Sequence, residues 1–284
     1  MSEILSKLRD SLQKYQRKED ATTLNCLSIY YSYKPQSLHH VPFNQPTLLL
    51  VVNGRKEVKL NSTDLCINEG ELLLLPPNTT IWIGNYPSQQ ERYLGLAFRF
   101  DEEALKHFRL IYGSSLESWD ISAKWHKKSP SSILSLLDQW LNWDILYATD
   151  IQLSHHRQVE LLLLLAQEGL AGNILLGEHP SWKQRVSQLL MMEPARSWQL
   201  KDVCLQLGTS DSSLRRKLQA EKSSFRDLLE EVRLSLGLSL LLETIQPVGQ
   251  VADAVGYQSQ SRFGERFKQR FGMTPSEIRR TLTD

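Results

Sequence analysis

The chain of 284 residues predicts an α+β fold, in which an N-terminal β-barrel is followed by dimerisation helices and a C-terminal all-α domain. Three observations predict this order. Between residues 21 and 100, short β-branched and aromatic runs alternate with turn residues, as in small all-β domains. From Asp101 onward, apolar residues recur at helical spacing. Residues 178–284 contain two helix–turn–helix patterns in tandem, joined by a long helix.

The N-terminal part divides into a helical arm (1–20) and a β-domain (21–100). An amphipathic helix is predicted over residues 2–18, with Leu5, Leu8 and Leu12 on one side. In the β-domain, Asn53-Gly54 separates two apolar runs and predicts a hairpin, because both residues tolerate positive φ. Several short strands at this spacing predict a small barrel or a double-sheet sandwich.

Residues 101–177 are predicted to form a helical dimerisation segment and linker, with helices near 101–111, 131–147 and 154–169. The third of these helices is apolar almost all round, so something must cover it. A dimer partner and the chain's own barrel are both candidates. We favour the partner, since a wide apolar stripe is a common contact surface, and therefore expect a homodimer.

The first helix–turn–helix unit is predicted from helices at Leu200–Leu207 and Asp211–Gln219, joined by Gly208-Thr209-Ser210. Leu214 and Leu218 would face the core. The opposite side of the second helix carries an exposed stripe of Ser212, Arg215, Arg216 and Gln219. Such side chains can contact base edges, and arginine can form paired hydrogen bonds with guanine. A merely solvated face is the alternative, and the preceding turn favours DNA binding.

A long spacer helix, from Ser224 or Phe225 to about Glu243, leads to the second unit, which begins at Pro247 and turns at Gly256. Phenylalanines at helical spacing form the core side of its second helix. The predicted base-reading residues there are Gln260, Ser261, Arg262, Glu265 and Arg266, and the predicted phosphate contacts are Lys268 and Arg270. Thr274-Pro275-Ser276-Glu277 is a capping box that starts a last helix.

The stretch PVGQVADAVGYQSQSRFGERFKQRFGMTPSEIR resembles the signature of the AraC/XylS family of bacterial transcription regulators. LKDVCLQLGTSDSSLRRKL and RLSLGLSLLLE follow the same family pattern. The resemblance implies two recognition helices in adjacent major grooves of double-stranded DNA. It also implies base readers at Ser212, Arg215, Arg216, Ser261 and Glu265, and favours an activator that works with RNA polymerase.

Three residues depart from the family pattern, and one of them, Cys204, replaces a small alanine of the first unit as a packing residue. Glu265 stands where the family often has a basic or neutral residue. Its carboxylate could accept a hydrogen bond from cytosine N4, or it could pair with Arg262 or Lys268, and we favour the pairing. Gly237 stands in the spacer helix where alanine is usual, which costs about 1 kcal/mol of helix stability.

The run NEGELLLLPPNTTIWI is similar to the cupin-like sensing domain of many members of this family. That likeness implies a barrel that encloses a small effector, although no effector-contacting residue is predicted. Adjacent His39-His40, with no histidine between residues 48 and 100, do not match the ligands of a cupin metalloenzyme, so no metal is expected. Control by a protein partner, or a cupin-type enzyme with a DNA-binding tail, remain as alternatives.

Composition sets further bounds. The net charge is +1 and 41% of the residues are hydrophobic, as in an ordinary globular protein. The apolar runs are far shorter than the roughly 18 residues of a membrane span, so no membrane partner is expected. The first residues lack the apolar region of a secretory signal, which predicts a cytoplasmic protein. The three cysteines and the absence of a catalytic triad or phosphate-binding glycine loop predict no disulfide framework, no cofactor and no enzyme.

Overall fold

The computed structural model describes residues 2–13, 26–60, 63–89, 91–147, 151–175 and 181–283. The strands are β1 (Leu27–Ser32), β2 (Gln36–Phe43), β3 (Thr47–Asn53), β4 (Arg55–Leu60), β5 (Thr63–Ile67), β6 (Glu71–Leu75), β7 (Thr79–Tyr86), β8 (Tyr93–Arg99) and β9 (His126–Lys128). The N-terminal helices are α1 (Ser2–Gln13), α2 (Glu102–Tyr112), α3 (Ser131–Tyr147), α4 (Ile151–Gln167) and α5 (Gly172–Leu175). The predicted α+β class is confirmed. Residues 14–20 of the predicted arm and the predicted boundary at 177–178 lie outside the described residues.

The strands form two antiparallel sheets that enclose a common core, and the predicted barrel is not closed. One sheet has the order β1-β8-β3-β6-β9, and the other has the order β2-β7-β4-β5. Leu49 and Val51 of β3 and Val58 of β4 are buried in the same cluster, so the two sheets pack face to face. The strands β1 and β2 follow each other in the chain and are edge strands of the two sheets.

The turn at Asn53-Gly54 exists, but the predicted hairpin does not. Gly54 has a φ of +80°, and a Cβ there would lie 2.5 Å from the Tyr86 carbonyl oxygen. However, β3 pairs with β6 and β8, whereas β4 pairs with β5 and β7. The turn therefore carries the chain from one sheet to the other. Turn chemistry fixed the local backbone angle, but strand pairing depends on residues distant in the chain.

The five-stranded sheet packs its outer face against the N-terminal helices. Leu8 and Leu12 of α1 are buried in this core, as predicted for that side of the helix. Leu161, Leu162 and Leu165 of α4 are also fully buried in it. The chain's own core therefore covers these three leucines, whereas Leu163 and Leu164 of the same stripe are only partly buried, and the homodimer stays a prediction. Periodicity shows that a helix must be covered, but not by which chain.

Helices fill the C-terminal part: α6 (Trp182–Met192), α7 (Leu200–Gln206), α8 (Asp211–Ala220), α9 (Phe225–Glu243), α10 (Val248–Ala254), α11 (Gln260–Phe271) and α12 (Pro275–Thr281). These elements match the predicted helices within a few residues. We call α7 with α8 the first unit and α10 with α11 the second unit. The spacer helix α9 contributes to both, with Leu228 and Val232 in the core of the first unit and Leu234 and Leu238 in that of the second.

The second unit and the two-sheet domain share one hydrophobic core. We call the contact between β1 and β2 on one side, and α9, α11 and α12 on the other, the seam. The Tyr33 amide donates to the Thr281 carbonyl at 2.8 Å, and Gln36 Nε2 donates to Thr281 Oγ1 at 2.6 Å. His40, at a bulge in β2, places Nδ1 3.4 Å from the Arg270 carbonyl oxygen. The second unit thus packs on the edge strands of the open sandwich.

No helix among the described residues combines the length and apolar character needed to cross a membrane.

Candidate nucleic-acid interface

In the first unit, a sharp turn sets α8 against α7. Gly208 has a φ of +59°, a conformation that side-chain-bearing residues rarely adopt. Ser210 then caps α8, since its Oγ accepts a hydrogen bond from the Ser213 amide at 3.3 Å. Leu214 and Leu218 are buried in the core of the unit, as predicted. The opposite side of α8 therefore faces solvent.

The predicted reading stripe of α8 is exposed along its whole length. It consists of Ser212, Arg215, Arg216 and Gln219. The two arginines of this stripe differ in their contacts. Arg215 donates from Nε to Asp211 Oδ1 at 2.5 Å, and this hydrogen bond raises the pKa of Arg215. Arg216 has no ion pair within the described part of the chain, so its guanidinium is available to a DNA base or phosphate.

In the second unit, a similar turn and cap set α11 against α10. Gly256 has a φ of +81°, and Ser259 Oγ accepts from the Arg262 amide at 3.3 Å. Phe263, Phe267 and Phe271 are fully buried, as predicted, with Phe267 and Phe271 in edge-to-face contact at 4.7 Å between ring centroids. Their spacing of four residues turns one side of α11 inward and leaves the other side in solvent.

The predicted contacts on α11 fall into two groups. The exposed group is Gln260, Ser261, Arg262, Glu265 and Lys268. The other group, Arg266 and Arg270, points toward the spacer helix. Arg266 donates from Nε and Nη2 to the two carboxylate oxygens of Glu230, and Arg270 lies 3.3 Å from a carboxylate oxygen of Glu231. The hydrogen bond from Arg266 lowers the pKa of Glu230. These arginines are therefore engaged inside the domain.

The favoured pairing of Glu265 is not found. Glu265 is exposed, and no ion pair with Arg262 or Lys268 forms among the described residues. Side chains three apart on a helix can meet, but on an exposed face such contacts contribute little and their formation is not enforced. The Glu265 carboxylate is left free to accept a hydrogen bond.

Several residues that hold the units together were missed from the sequence. Glu221 accepts hydrogen bonds from the amides of Trp182 and Lys183, and so caps α6 from the end of α8. Lys217 Nζ lies 3.6 Å from the centre of the Trp182 ring. Arg233 of α9 donates to carbonyl groups of the loop between α6 and α7. These contacts join residues more than thirty positions apart, for which the sequence offers no local signal.

The two-sheet domain contains one buried cation with unusual surroundings. Lys56 is 6% exposed, and its Nζ donates to Asn85 Oδ1 at 2.5 Å. Asn85 Nδ2 donates to Gln36 Oε1 at 3.1 Å, and Gln36 contacts Thr281 across the seam. Burial lowers the pKa of Lys56 to about 7. No carboxylate forms an ion pair with Lys56 among the described residues, so a chain of neutral groups links it to α12.

The exposed sides of α8 and α11 are arranged for binding. Two capped helices present donors and acceptors in solvent, and one continuous helix carries both. Hydrogen bonds from such side chains reach base edges in a major groove, and cationic side chains reach phosphates. Among the described residues, no group of three histidine, cysteine or carboxylate side chains is placed to hold a metal ion.

Two protein-family models match the chain. A helix-turn-helix domain model matches residues 203–281, and a model of the N-terminus of AraC-type transcriptional regulators matches residues 23–129. The first match begins within α7 and extends through α12, and the second includes the two-sheet domain.

Similar proteins of known role are transcription regulators. The chain is 36% identical over 121 residues to the urease operon transcriptional activator of Escherichia coli, covering 42% of this chain and 41% of that protein. It is 26% identical over 222 residues to the HTH-type transcriptional regulator YdeO of Escherichia coli strain K12, covering 76% of this chain and 83% of YdeO. The first match thus spans less than half of that relative.

Solved structures of ToxT from Vibrio cholerae have the same fold. One has a TM-score of 0.65 at 17% identity and covers 91% of this chain and 98% of ToxT. Another, with an unsaturated fatty acid bound, has a TM-score of 0.60 at 16% identity and covers 94% and 98%. At this identity the likeness shows the fold alone.

Tandem helix–turn–helix units behind a two-sheet domain define a DNA-binding transcription regulator. The chain belongs to the AraC/XylS family.

Proposed function

We propose that this regulator inserts α8 and α11 into adjacent major grooves of promoter DNA and activates transcription in the cytoplasm, as a homodimer that contacts RNA polymerase. The exposed stripes carry the sequence specificity: Ser212, Arg215, Arg216 and Gln219 on α8, and Gln260, Ser261, Arg262 and Glu265 on α11. Lys268 binds phosphate. The observation that supports this most strongly is that α9 carries two capped helices whose apolar sides are buried and whose polar sides are free.

A promoter-selection experiment tests this proposal. Full-length protein at near-physiological salt is incubated with genomic fragments, and the bound fragments are sequenced. We expect a few promoters that share a two-part motif, and we expect Arg216→Ala with Arg262→Ala to lose them. The matched control removes two cations far from α8 and α11, with Lys106→Ala and Arg157→Ala. Enrichment that survives in the double variant of the stripes would contradict these reading roles.

We also propose that a small molecule controls this activity through the two-sheet domain. The sandwich interior is apolar, and it contains the Lys56 ammonium without a carboxylate partner among the described residues. An amphipathic carboxylic acid fits both features, and a fatty acid is bound in one ToxT structure. Such a ligand would supply the missing negative charge and an apolar tail. It would act by binding one arrangement of the domains better than another.

Thermal unfolding with two matched lipids tests the effector. Oleate should shift the unfolding temperature of the wild-type chain, whereas oleyl alcohol, which lacks the charge, should not. The shift should disappear in Lys56→Met and persist in Lys59→Met, since Lys59 is an exposed residue of the same strand. Equal shifts with acid and alcohol would contradict a role for Lys56.

Control by a protein partner is the second candidate. It is favoured by the filling of the sandwich, where aliphatic side chains such as Leu73, Ile81 and Ile67 have at most 2% exposure. A chain that shows no shift with any carboxylic acid, but whose DNA binding changes when a purified partner is added, would support it.

A further inference from the structure

The two DNA-reading units have separate hydrophobic cores, and the division falls at one residue of α9. Leu228 and Val232 pack with the first unit, whereas Leu234 and Leu238 pack with the second. Arg233 lies between these pairs. The orientation of one unit relative to the other therefore depends on the straightness of α9 and on contacts that cross beside Arg233.

The spacer helix has a weak position one turn beyond Arg233. Gly237 is buried, and a Cβ there would lie 2.8 Å from Cε2 of the Phe263 ring, so an alanine at this position would press against α11. Glycine in a helix interior costs about 1 kcal/mol relative to alanine. Glycine is also among the positions at which helices bend. A side-chain contact that holds α9 straight at this point, which we call the brace, would compensate for this weakness.

Arg233 makes the contacts of such a brace. Its Nε donates to the Pro194 carbonyl and its Nη2 donates to the Arg196 carbonyl, both at 3.0 Å, which holds the loop that leads into the first unit. Its guanidinium also lies against the turn of the second unit. A Cβ at Gly256 would lie 2.9 Å from Arg233 Nη2 and 2.9 Å from Ala195 Cα. The loop, the arginine and the turn are thus in direct contact.

The same turn of α9 holds the recognition helix of the second unit. Glu230 binds Arg266 through both carboxylate oxygens, and Glu231 pairs with Arg270 at 3.3 Å. Within this turn, Glu230 and Glu231 therefore fasten α11 on one side, and Arg233 fastens the entry to the first unit on the other. None of these contacts involves the exposed stripes.

We propose that Arg233 is a positioning residue that fixes the separation and angle between α8 and α11, and thereby the spacing between the two halves of the DNA site. This inference rests on the proposed function, because spacing has meaning only if both units read one duplex. Each added base pair moves a half-site by about 3.4 Å and rotates it by about 35° around the helix axis. Two units that are held rigidly read one spacing and reject its neighbours.

A distance measurement without DNA tests the brace directly. The full-length chain, with Cys26, Cys66 and Cys204 replaced by alanine, receives spin labels at Leu205→Cys on the first unit and Asp253→Cys on the second, both exposed. The parent should give one narrow distance distribution. Arg233→Gln should give a wider one. Arg233→Lys should be intermediate, because an ammonium lacks the fork that bonds two carbonyl groups at once. Arg226→Gln, an exposed arginine on the same helix, is the control.

Selection from random DNA then tests the consequence. Wild-type protein should enrich two half-motifs at one spacing. It should also bind the native spacing more tightly than sites with one or two base pairs inserted. In Arg233→Gln this preference should fall about tenfold, or by about 1.4 kcal/mol, while the half-motifs stay the same. Arg226→Gln should keep the wild-type preference.

The two experiments distinguish a failure of the inference about Arg233 from a failure of the proposed function. Unchanged distance distributions in both Arg233 variants would overturn the brace, whatever the DNA result. Altered half-motifs at unchanged spacing would also overturn it, because Arg233 would then act on base reading. Failure of wild-type protein to enrich any motif would overturn the proposed function, and the label distances would still decide whether Arg233 sets the arrangement of the units. Thermal unfolding checks that each variant is folded. If Arg233→Gln does not fold, the comparison of wild-type protein with Arg233→Lys provides the test.

Discussion

Lys56 shows how one buried charge makes stability depend on pH. Burial lowers its pKa to about 7 in the folded chain, whereas an exposed lysine has a pKa of about 10.4. Between these values the unfolded chain binds a proton that the folded chain lacks. The stability linked to this group is therefore complete above the unfolded pKa and is lost as the pH falls through about 7.

Wild-type protein and Lys56→Met should therefore differ in how steeply their free energy of unfolding changes with pH. Between pH 7 and pH 9, the free energy of unfolding of wild-type protein should rise by about 2–3 kcal/mol relative to Lys56→Met. Urea unfolding at the two pH values measures it, with the exposed Lys59→Met as control. Parallel pH dependence of wild type and Lys56→Met would show that Lys56 stays charged when buried.

Arg215 is bonded to Asp211, whereas Arg216 has no ion pair among the described residues. Alanine substitutions at the two positions should therefore weaken DNA binding to different extents. Arg216→Ala should cost about 1–3 kcal/mol on the selected site and much less on a scrambled site, if it reads a base. Arg215→Ala should cost less on the selected site, because Asp211 already holds its guanidinium. Fluorescence anisotropy titrations on both duplexes measure this. An equal loss on the two sequences would make Arg216 a phosphate contact.

At the scale of secondary-structure elements, two helical glycines show whether side-chain packing or helix propensity determines the effect of an alanine substitution. Glycine to alanine stabilises an open helix position by about 1 kcal/mol. Gly264 of α11 has open space where a Cβ would stand, so Gly264→Ala should stabilise the chain by about that amount. At Gly237 the Phe263 ring occupies the space, and overpacking costs about 1–3 kcal/mol. Gly237→Ala should therefore destabilise by about 1 kcal/mol net. Urea unfolding of the full chain compares the two, and stabilisation by both would show that the Phe263 ring moves aside.

The elements also show which features the sequence could predict. The capping box at Thr274 and the span of α9 were predicted because caps and apolar periodicity act over a few residues. The partners of β3 and β4 were not predicted, because pairing joins segments distant in the chain. For the same reason the exposed stripes of α8 and α11 were foreseen, whereas the engagement of Arg266 by Glu230 across 36 positions was not.

In the whole molecule, the division by contacts differs from the division by sequence. Sequence patterns group the two helix–turn–helix units as one C-terminal domain. In the structure, the second unit shares a core with the two-sheet domain, while the first unit keeps a core of its own. A change inside the sandwich therefore has a direct physical route to α11 and α12 through the shared core. It reaches α8 through α9 and the brace, or through α6, where Gln184 Nε2 donates to the Asn44 carbonyl at 3.5 Å.

The seam gives this division a measurable consequence. Gln36 bridges Asn85 and Thr281, so Gln36→Leu leaves buried polar groups on both sides without that partner. Such a loss costs about 1–3 kcal/mol, and because the seam holds α12, local opening there should become easier. Amide hydrogen exchange in α12 should accelerate about 10- to 100-fold, while exchange in α7 and α8 stays as in wild type. Ser37→Ala, at the neighbouring position of β2, is the control. Equal acceleration in α8 and α12 would mean that both units open together, and the second unit would then not belong mechanically with the two-sheet domain.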